Sequence, residues 1–162
     1  MSTEATQPNP IPAALQAWNP AAITSWSAES GETTVWVAPG MIADVCRHLR
    51  DEFGFERISG VTAIDRYPME PRFEVLYLLH SISRNTRLKL KVALPGAAPA
   101  LPTVTTVWEG ANWYERETFD LFGLRFDGHP NLKRLLLPEE WEGHPLRRDF
   151  PVHGHKYSYQ NE

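Results

Sequence analysis

Residues 113–152 read WYERETFDLFGLRFDGHPNLKRLLLPEEWEGHPLRRDFPV, and after Gly123 the apolar residues of this stretch follow neither a helical nor a strand period. His-Pro pairs, glycines and basic dipeptides punctuate it, yet Phe126, Leu135, Leu136, Leu137, Trp141, Leu146 and Phe150 all need cover from water. A long loop in a small domain is usually either functional or disordered. Disorder requires low hydrophobicity, which this segment lacks. A docking arm over residues 125–162 is therefore expected, attached to a compact domain over 13–124. The first 12 residues carry three prolines and are expected as a flexible leader.

The compact part alternates between two periods. Residues 33–37 (TTVWV) are β-branched and aromatic, end at Pro39 and Gly40, and predict a first strand. Ile42, Val45, Cys46, Leu49 and Phe53 then recur at three and four, which predicts an amphipathic helix that Gly54 ends. Strands are expected over 58–64, 73–82 and 88–94. The last is clearest, because Leu88, Leu90, Val92 and Leu94 alternate with Lys89, Lys91 and Ala93. The Arg84-Asn85 turn joins the last two strands as an antiparallel hairpin, while the helix before Ile58 allows a parallel neighbour for the first strand. Upstream, Leu15, Trp18 and Ala22 suggest a short helix that Pro20 interrupts. Residues 95–102 form a loop leading to a helix over 113–122. The expected fold class is α+β: a mixed four-stranded sheet packed with helices, followed by a long extended C-terminal arm.

Charge and cysteine content exclude several functions. The 20 acidic residues outnumber the 16 basic ones, so no overall positive field exists to hold nucleic acid. Cys46 is the only cysteine, so the chain alone can build neither a disulfide nor a thiolate-held iron–sulfur cluster; on its apolar stripe it reads as a buried thiol. The start MSTEATQPNP has no basic region followed by an apolar one, and no apolar run approaches the roughly 20 residues that span a bilayer. A cytosolic protein, or one peripheral on the cytosolic side of a membrane, is expected. Glycine fingerprints for dinucleotides or nucleotide phosphates do not occur.

The helix over 113–122 carries most of the candidate site. Asn112 and Glu115 have the spacing of a capping box. Tyr114, Thr118, Leu121 and Phe122 are expected to face the sheet. Trp113, Arg116, Glu117 and Asp120 share a second face, with Arg116 and Asp120 placed for an i,i+4 pair. Tryptophan and arginine on one face suggest an interface anchor. Glu117 and Asp120 have the spacing of an acid/base pair, but no nucleophile or positioned histidine accompanies them, and the arginine beside them would hold both ionised. His129, His144, His153 and His155 invite a metal reading. Without recurrent zinc-type spacing or a cysteine to join them, His129-Pro130 and His144-Pro145 read instead as turn formers. Lys133-Arg134 and Arg147-Arg148 lie among Glu139, Glu140, Glu142 and Asp149. The arginine forks suit carboxylates on a partner protein or anionic groups at a membrane surface.

Several of these residues also carry a resemblance. Trp113-Tyr114-Glu115-Arg116-Glu117, Asp120-Leu121-Phe122-Gly123, Gly128-His129-Pro130, Lys133-Arg134 and Gly143-His144-Pro145-Leu146-Arg147-Arg148-Asp149-Phe150-Pro151 resemble the C-type subunit of bacterial NADH-quinone oxidoreductase, respiratory complex I. Asp65-Arg66-Tyr67-Pro68, Arg72-Phe73-Glu74-Val75 and Ala111-Asn112 extend the likeness upstream. The resemblance implies a peripheral-arm subunit without cofactors of its own, with NADH, FMN, iron–sulfur clusters and quinone on partner subunits. It would lie against the quinone-site (D-type) subunit, on the cytoplasmic side of the cell membrane, and support NADH-to-quinone electron transfer coupled to proton translocation. Taken with the readings of the helix face and the arm above, the expected docking residues are Trp113, Arg116, Glu117, Asp120, His129, Pro130, Lys133, Arg134, Trp141, His144, Pro145, Leu146, Arg147, Arg148, Asp149 and Phe150. Arg148 departs from the lysine expected in most members, which replaces a compact ammonium with a planar fork. The alternatives are the matching subunit of a membrane-bound hydrogenase or of a cyanobacterial-type quinone oxidoreductase, and a free-standing acid/base enzyme.

Overall fold

The computed structural model describes residues 10–151; His153, His155 and residues 1–9 lie outside them. Its centre is a five-stranded sheet of β1 (Ile23–Glu29), β2 (Glu32–Val37), β3 (Arg57–Asp65), β4 (Phe73–Ser81) and β5 (Thr86–Leu94), in the order β1-β2-β5-β4-β3. Phe73 pairs with Leu94, Val75 with Val92, Tyr77 with Leu90 and Leu79 with Leu88, and all eight are buried. The alternation in β5 therefore marks the core face of its neighbour as well. Helix α2 (Ile42–Phe53) closes that face with Ile42, Val45, Cys46 and Leu49, and Gly54 ends it in the left-handed conformation. Burial of each such aliphatic side chain is worth about 1.5–3 kcal/mol.

The α+β class and the mixed sheet match expectation, but the strand inventory differs. β1 is an extra, fifth strand at the sheet edge. Apart from Ile23 and the half-buried Ser27 its residues are exposed, and its register shifts between Ile23 and Ser25, so no alternation announces it. The parallel neighbour of β2 is β5, while β3 occupies the far edge.

Helix α1 (Ile11–Trp18) begins inside the stretch expected as leader. Ile11 and Pro12 are buried in it, and proline is tolerated in a first turn, where its missing N–H has no helical partner. Ala22 is buried but lies beyond the helix, which stops before Asn19.

Helix α3 (Ala111–Phe122) lies against β3, where Thr118 Oγ1 donates to the Val61 carbonyl at 3.1 Å. Gly110 precedes it without a side-chain cap. The Asn112–Glu115 capping box is not formed, because the Glu115 side chain turns into the core. Two short strands, β6 (Ala100–Pro102) and β7 (Arg125–Asp127), pair in parallel and set Leu101 opposite Phe126, both buried. The core thus reaches Phe126, past the boundary expected at residue 124.

Candidate docking surface

Gly123 turns the chain out of α3. Its φ of +72° suits glycine, and a Cβ there would stand 2.5 Å from both Arg147 Nη2 and His144 Cδ2. That close approach shows where the arm goes. It contains no helix or strand between Asp127 and residue 151, yet it folds back around the C-terminal half of α3.

Asp120 is the node of this return. Its side chain is 0% exposed, and Oδ2 accepts the N–H groups of Leu135, Leu136 and Leu137 at 2.9, 2.8 and 2.9 Å. Oδ1 accepts Arg134 Nη1 at 2.7 Å. The same guanidinium donates through Nη2 to the carbonyls of Trp141 and Gly143. Burial pushes the Asp120 carboxyl upward, but the Leu137 amide, the Arg134 guanidinium and the two other amides outweigh it and hold the pKa below the ordinary value.

Further bonds continue on both sides of this node. Arg116 donates to the carbonyls of Lys133 and Arg134, and its guanidinium lies 5.2 Å from the Trp113 ring centroid. His144 Nδ1 donates to the Asp120 carbonyl at 2.8 Å. Leu146 donates its N–H to the Leu121 carbonyl, and Arg147 Nε donates to the Phe122 carbonyl. These donors satisfy C-terminal carbonyls of α3 that the helix itself leaves open. Burial lowers the pKa of both His129 and His144, favouring neutral rings. Asn131 donates to His129 Nδ1, leaving Nε2 to donate to the Asn112 carbonyl.

The far end of the arm is clamped by Arg72. This guanidinium bonds Asp65 through Nε and Nη2, at 2.9 and 2.7 Å, and Asp149 through Nη1 and Nη2, at 3.0 and 2.7 Å. It also packs on the rings of Tyr67 and Phe73. Burial opposes ionisation of Asp65, but Arg72 and the N–H groups of Arg148 and Tyr67 hold its pKa at about 2.

Several expected roles change. The Arg116–Asp120 pair does not form, since Asp120 faces inward to Arg134 while Arg116 reaches the arm's carbonyls. Buried and saturated, Asp120 holds the arm and presents nothing to a partner. It cannot serve with the exposed Glu117 as an acid/base pair. The face given to the sheet also differs: Glu115 and Asp120 are buried with Thr118 and Phe122, while Tyr114 and Leu121 are half-buried. Arg134, His144 and Arg147 are engaged within the chain. Trp113, Leu136 and Leu146 remain 59, 62 and 51% exposed.

Three positions outside the expected docking set matter. Asp65 and Arg72 form the clamp, and their opposite charges at the two ends of the β3–β4 connection were the available signal. Glu115 is the third. Its side chain is 0% exposed, accepts from Thr103 Oγ1 at 2.5 Å and from Val104 N–H at 2.7 Å, and lies 3.9 Å from His129 Nε2. Burial, only partly offset by those two donors, raises its pKa to about 7. Nothing in the local sequence distinguishes it from a solvated helix glutamate.

Burial also pushes the Cys46 thiol upward, as suits the inert core thiol expected. Among the described residues no three His, Cys, Asp or Glu side chains are grouped as metal ligands, and no helix is long and apolar enough to cross a membrane.

Residues 35–156 match the family described as "Respiratory-chain NADH dehydrogenase, 30 Kd subunit". A C-type subunit of NADH-quinone oxidoreductase from Roseiflexus sp. (strain RS-1) is 46% identical over 140 residues, covering 85% of this chain and 80% of that protein. A protein from Methylococcus capsulatus (strain Bath), whose name joins the C and D subunits of NADH-quinone oxidoreductase, is 39% identical over 151 residues; these are 88% of this chain but 26% of that protein. Among solved structures, a trypsin-resistant fragment (1-134) of Nqo5 superposes with a TM-score of 0.66 at 29% identity, over 76% of this chain and all of the fragment.

Proposed function

The chain belongs to the 30-kDa subunit family of respiratory-chain NADH dehydrogenases, the C-type subunits of NADH-quinone oxidoreductases, and from that premise we propose that it is a cofactor-free docking subunit set against the quinone-site subunit. The relative whose name joins C and D carries the proposal. There, a portion like this chain shares one polypeptide with much additional sequence, as expected if the two parts work in contact. The proposed role is to support electron transfer from NADH to quinone, and hence proton translocation, by holding the peripheral arm together on the cytoplasmic side of the membrane. No step of the chemistry is assigned to this chain.

The electrostatics favour a structural part. Asp65, Asp120 and Asp149 are held ionised by partners within the chain, which suits fixed anchors better than proton carriers. The lone thiol is buried with a raised pKa, and cluster ligation by cysteine takes about four.

The test is purification from cells producing a tagged chain, using a mild-detergent membrane extract, alongside cells that lack it. Recovery of the D-type subunit with the tagged chain, and loss of NADH-to-quinone activity in the deletion strain, are expected. Full activity and normal complex size without the chain would overturn the proposal.

A further inference from the structure

We infer that the outer side of the arm receives a basic surface of the partner subunit; the inference rests on the docking role proposed above and assigns the chemistry of what docks. The sequence pointed to arginines of α3 and of the arm as the groups offered to a partner. The structure turns three of them inward: Arg116 to the carbonyls of residues 133 and 134, Arg134 to Asp120 and two carbonyls, and Arg147 to the end of α3. Between two exposed leucines the outward charge has the opposite sign. Between Leu136 and Leu146 lie Glu139, Glu140 and Glu142, all exposed, with no lysine or arginine in the interval and no ion pair to any of the three among the described residues.

A further observation marks this segment as incomplete in the free chain. Leu136 and Leu146 bracket the carboxylates and expose more than half of their surface, as apolar anchors for a protein partner would. A surface of apolar sockets flanked by lysine or arginine complements this arrangement. An anionic lipid surface or a nucleic-acid backbone would be repelled by it. The cationic Lys133 and Arg148 of the arm stand outside the leucine-bracketed interval.

The experiment uses the full-length chain in a strain lacking its own copy. In one variant Glu139, Glu140 and Glu142 become lysine, in a second they become glutamine, and in a third Leu136 and Leu146 become serine. Circular dichroism and melting of each purified chain should match the wild type, because all five side chains are exposed. Complex recovered from membranes should fall by about tenfold or more for the lysine variant, since like charges facing each other across an interface are strongly unfavourable. The glutamine variant should be intermediate and should lose part of the wild type's salt sensitivity. If the leucine variant fails to assemble while the lysine and glutamine variants assemble normally with unchanged salt response, the basic partner surface is wrong and the docking role stands. If all three assemble as the wild type does, the outer side of the arm is not the docking surface and this inference falls, while the docking role still stands or falls with the deletion strain.

Discussion

Arg134 reaches the Asp120 carboxylate at 2.7 Å and, with the same guanidinium, holds the carbonyls of Trp141 and Gly143, so one ion pair closes the arm onto the helix that begins it. Removing one partner of a buried pair costs about 3–5 kcal/mol, because the other charge is left uncompensated. An irregular arm is the part that can yield. Asp120→Ala is therefore expected to release the arm and leave the sheet folded. Amide exchange at Leu135, Leu136 and Leu137, whose N–H groups lose their common acceptor, should accelerate by about a hundredfold or more, while core amides of β4 and β5 change little. Equal acceleration in the strands would show that Asp120 supports the whole domain.

The approach of His144 and Arg147 to Gly123 makes a second prediction with an internal control. Gly31 and Gly123 both have positive φ, +79° and +72°, but a Cβ on Gly31 meets nothing within 4 Å. Gly31→Ala should cost about 1 kcal/mol of backbone strain. Gly123→Ala carries the same strain and also displaces the His144 ring and the Arg147 guanidinium. A clearly larger loss of urea stability for Gly123→Ala, with faster exchange confined to the arm, is expected; equal losses would mean the arm gives way without cost.

How far the sequence revealed this architecture depended on whether a residue's surroundings were local. Leu88, Leu90, Val92 and Leu94 were legible because strand alternation sorts apolar from polar residues, and α2 for the corresponding helical reason. β1 was not legible, since an exposed edge strand needs no alternation. Periodicity also misassigned α3: Glu115 and Asp120 are carboxylates on the buried side, and only their donors, 11 to 17 positions away, make that tolerable. The clamp is more remote, with Arg72 and Asp149 separated by 77 positions. The aperiodic arm was expected to find its cover on a partner; that it folds back on its own domain follows from contacts too distant in sequence to leave a local pattern.

Arg147 and Arg148, adjacent in sequence, should behave differently. Arg147 donates to the carbonyls of Phe122 and Gly123 at the end of α3, where a cation is favoured by the helix dipole, and its guanidinium lies 5.4 Å from the Phe73 ring centroid. Arg148 contributes its backbone N–H to Asp65 while the residue itself is exposed. Arg147→Glu should lower the melting temperature by several degrees through about 1–3 kcal/mol of lost charge-assisted bonding. Arg148→Glu should shift it by less than about 2 °C, exposed charges being worth little. Matching shifts for the two variants would refute the division of labour.

Glu115 should make stability depend on pH in a direction opposite to that of the usual salt-bridged carboxylate. Burial raises its pKa from an ordinary 4.5 to about 7, so between those values the folded chain binds a proton that the unfolded chain has released. Linkage then requires stability to be greatest below pH 4.5, to fall as pH rises, and to have lost the full contribution above about pH 7, a total of roughly 3 kcal/mol at most. His129 and His144 act in the reverse sense, because their folded pKa values are lowered and neutral rings favour the fold as pH rises. The wild-type curve alone would blend these effects. Glu115→Gln isolates the carboxyl: the amide oxygen still accepts Val104 N–H, the amide nitrogen meets Thr103 Oγ1, and no charge is ever buried beside His129. Urea unfolding at intervals between about pH 4.5 and pH 8 should show the variant gaining on the wild type steadily across that window, with the difference level above about pH 8. Parallel curves would mean that Glu115 ionises in the folded protein as easily as in water, and that Thr103 and Val104 fully replace its lost solvation.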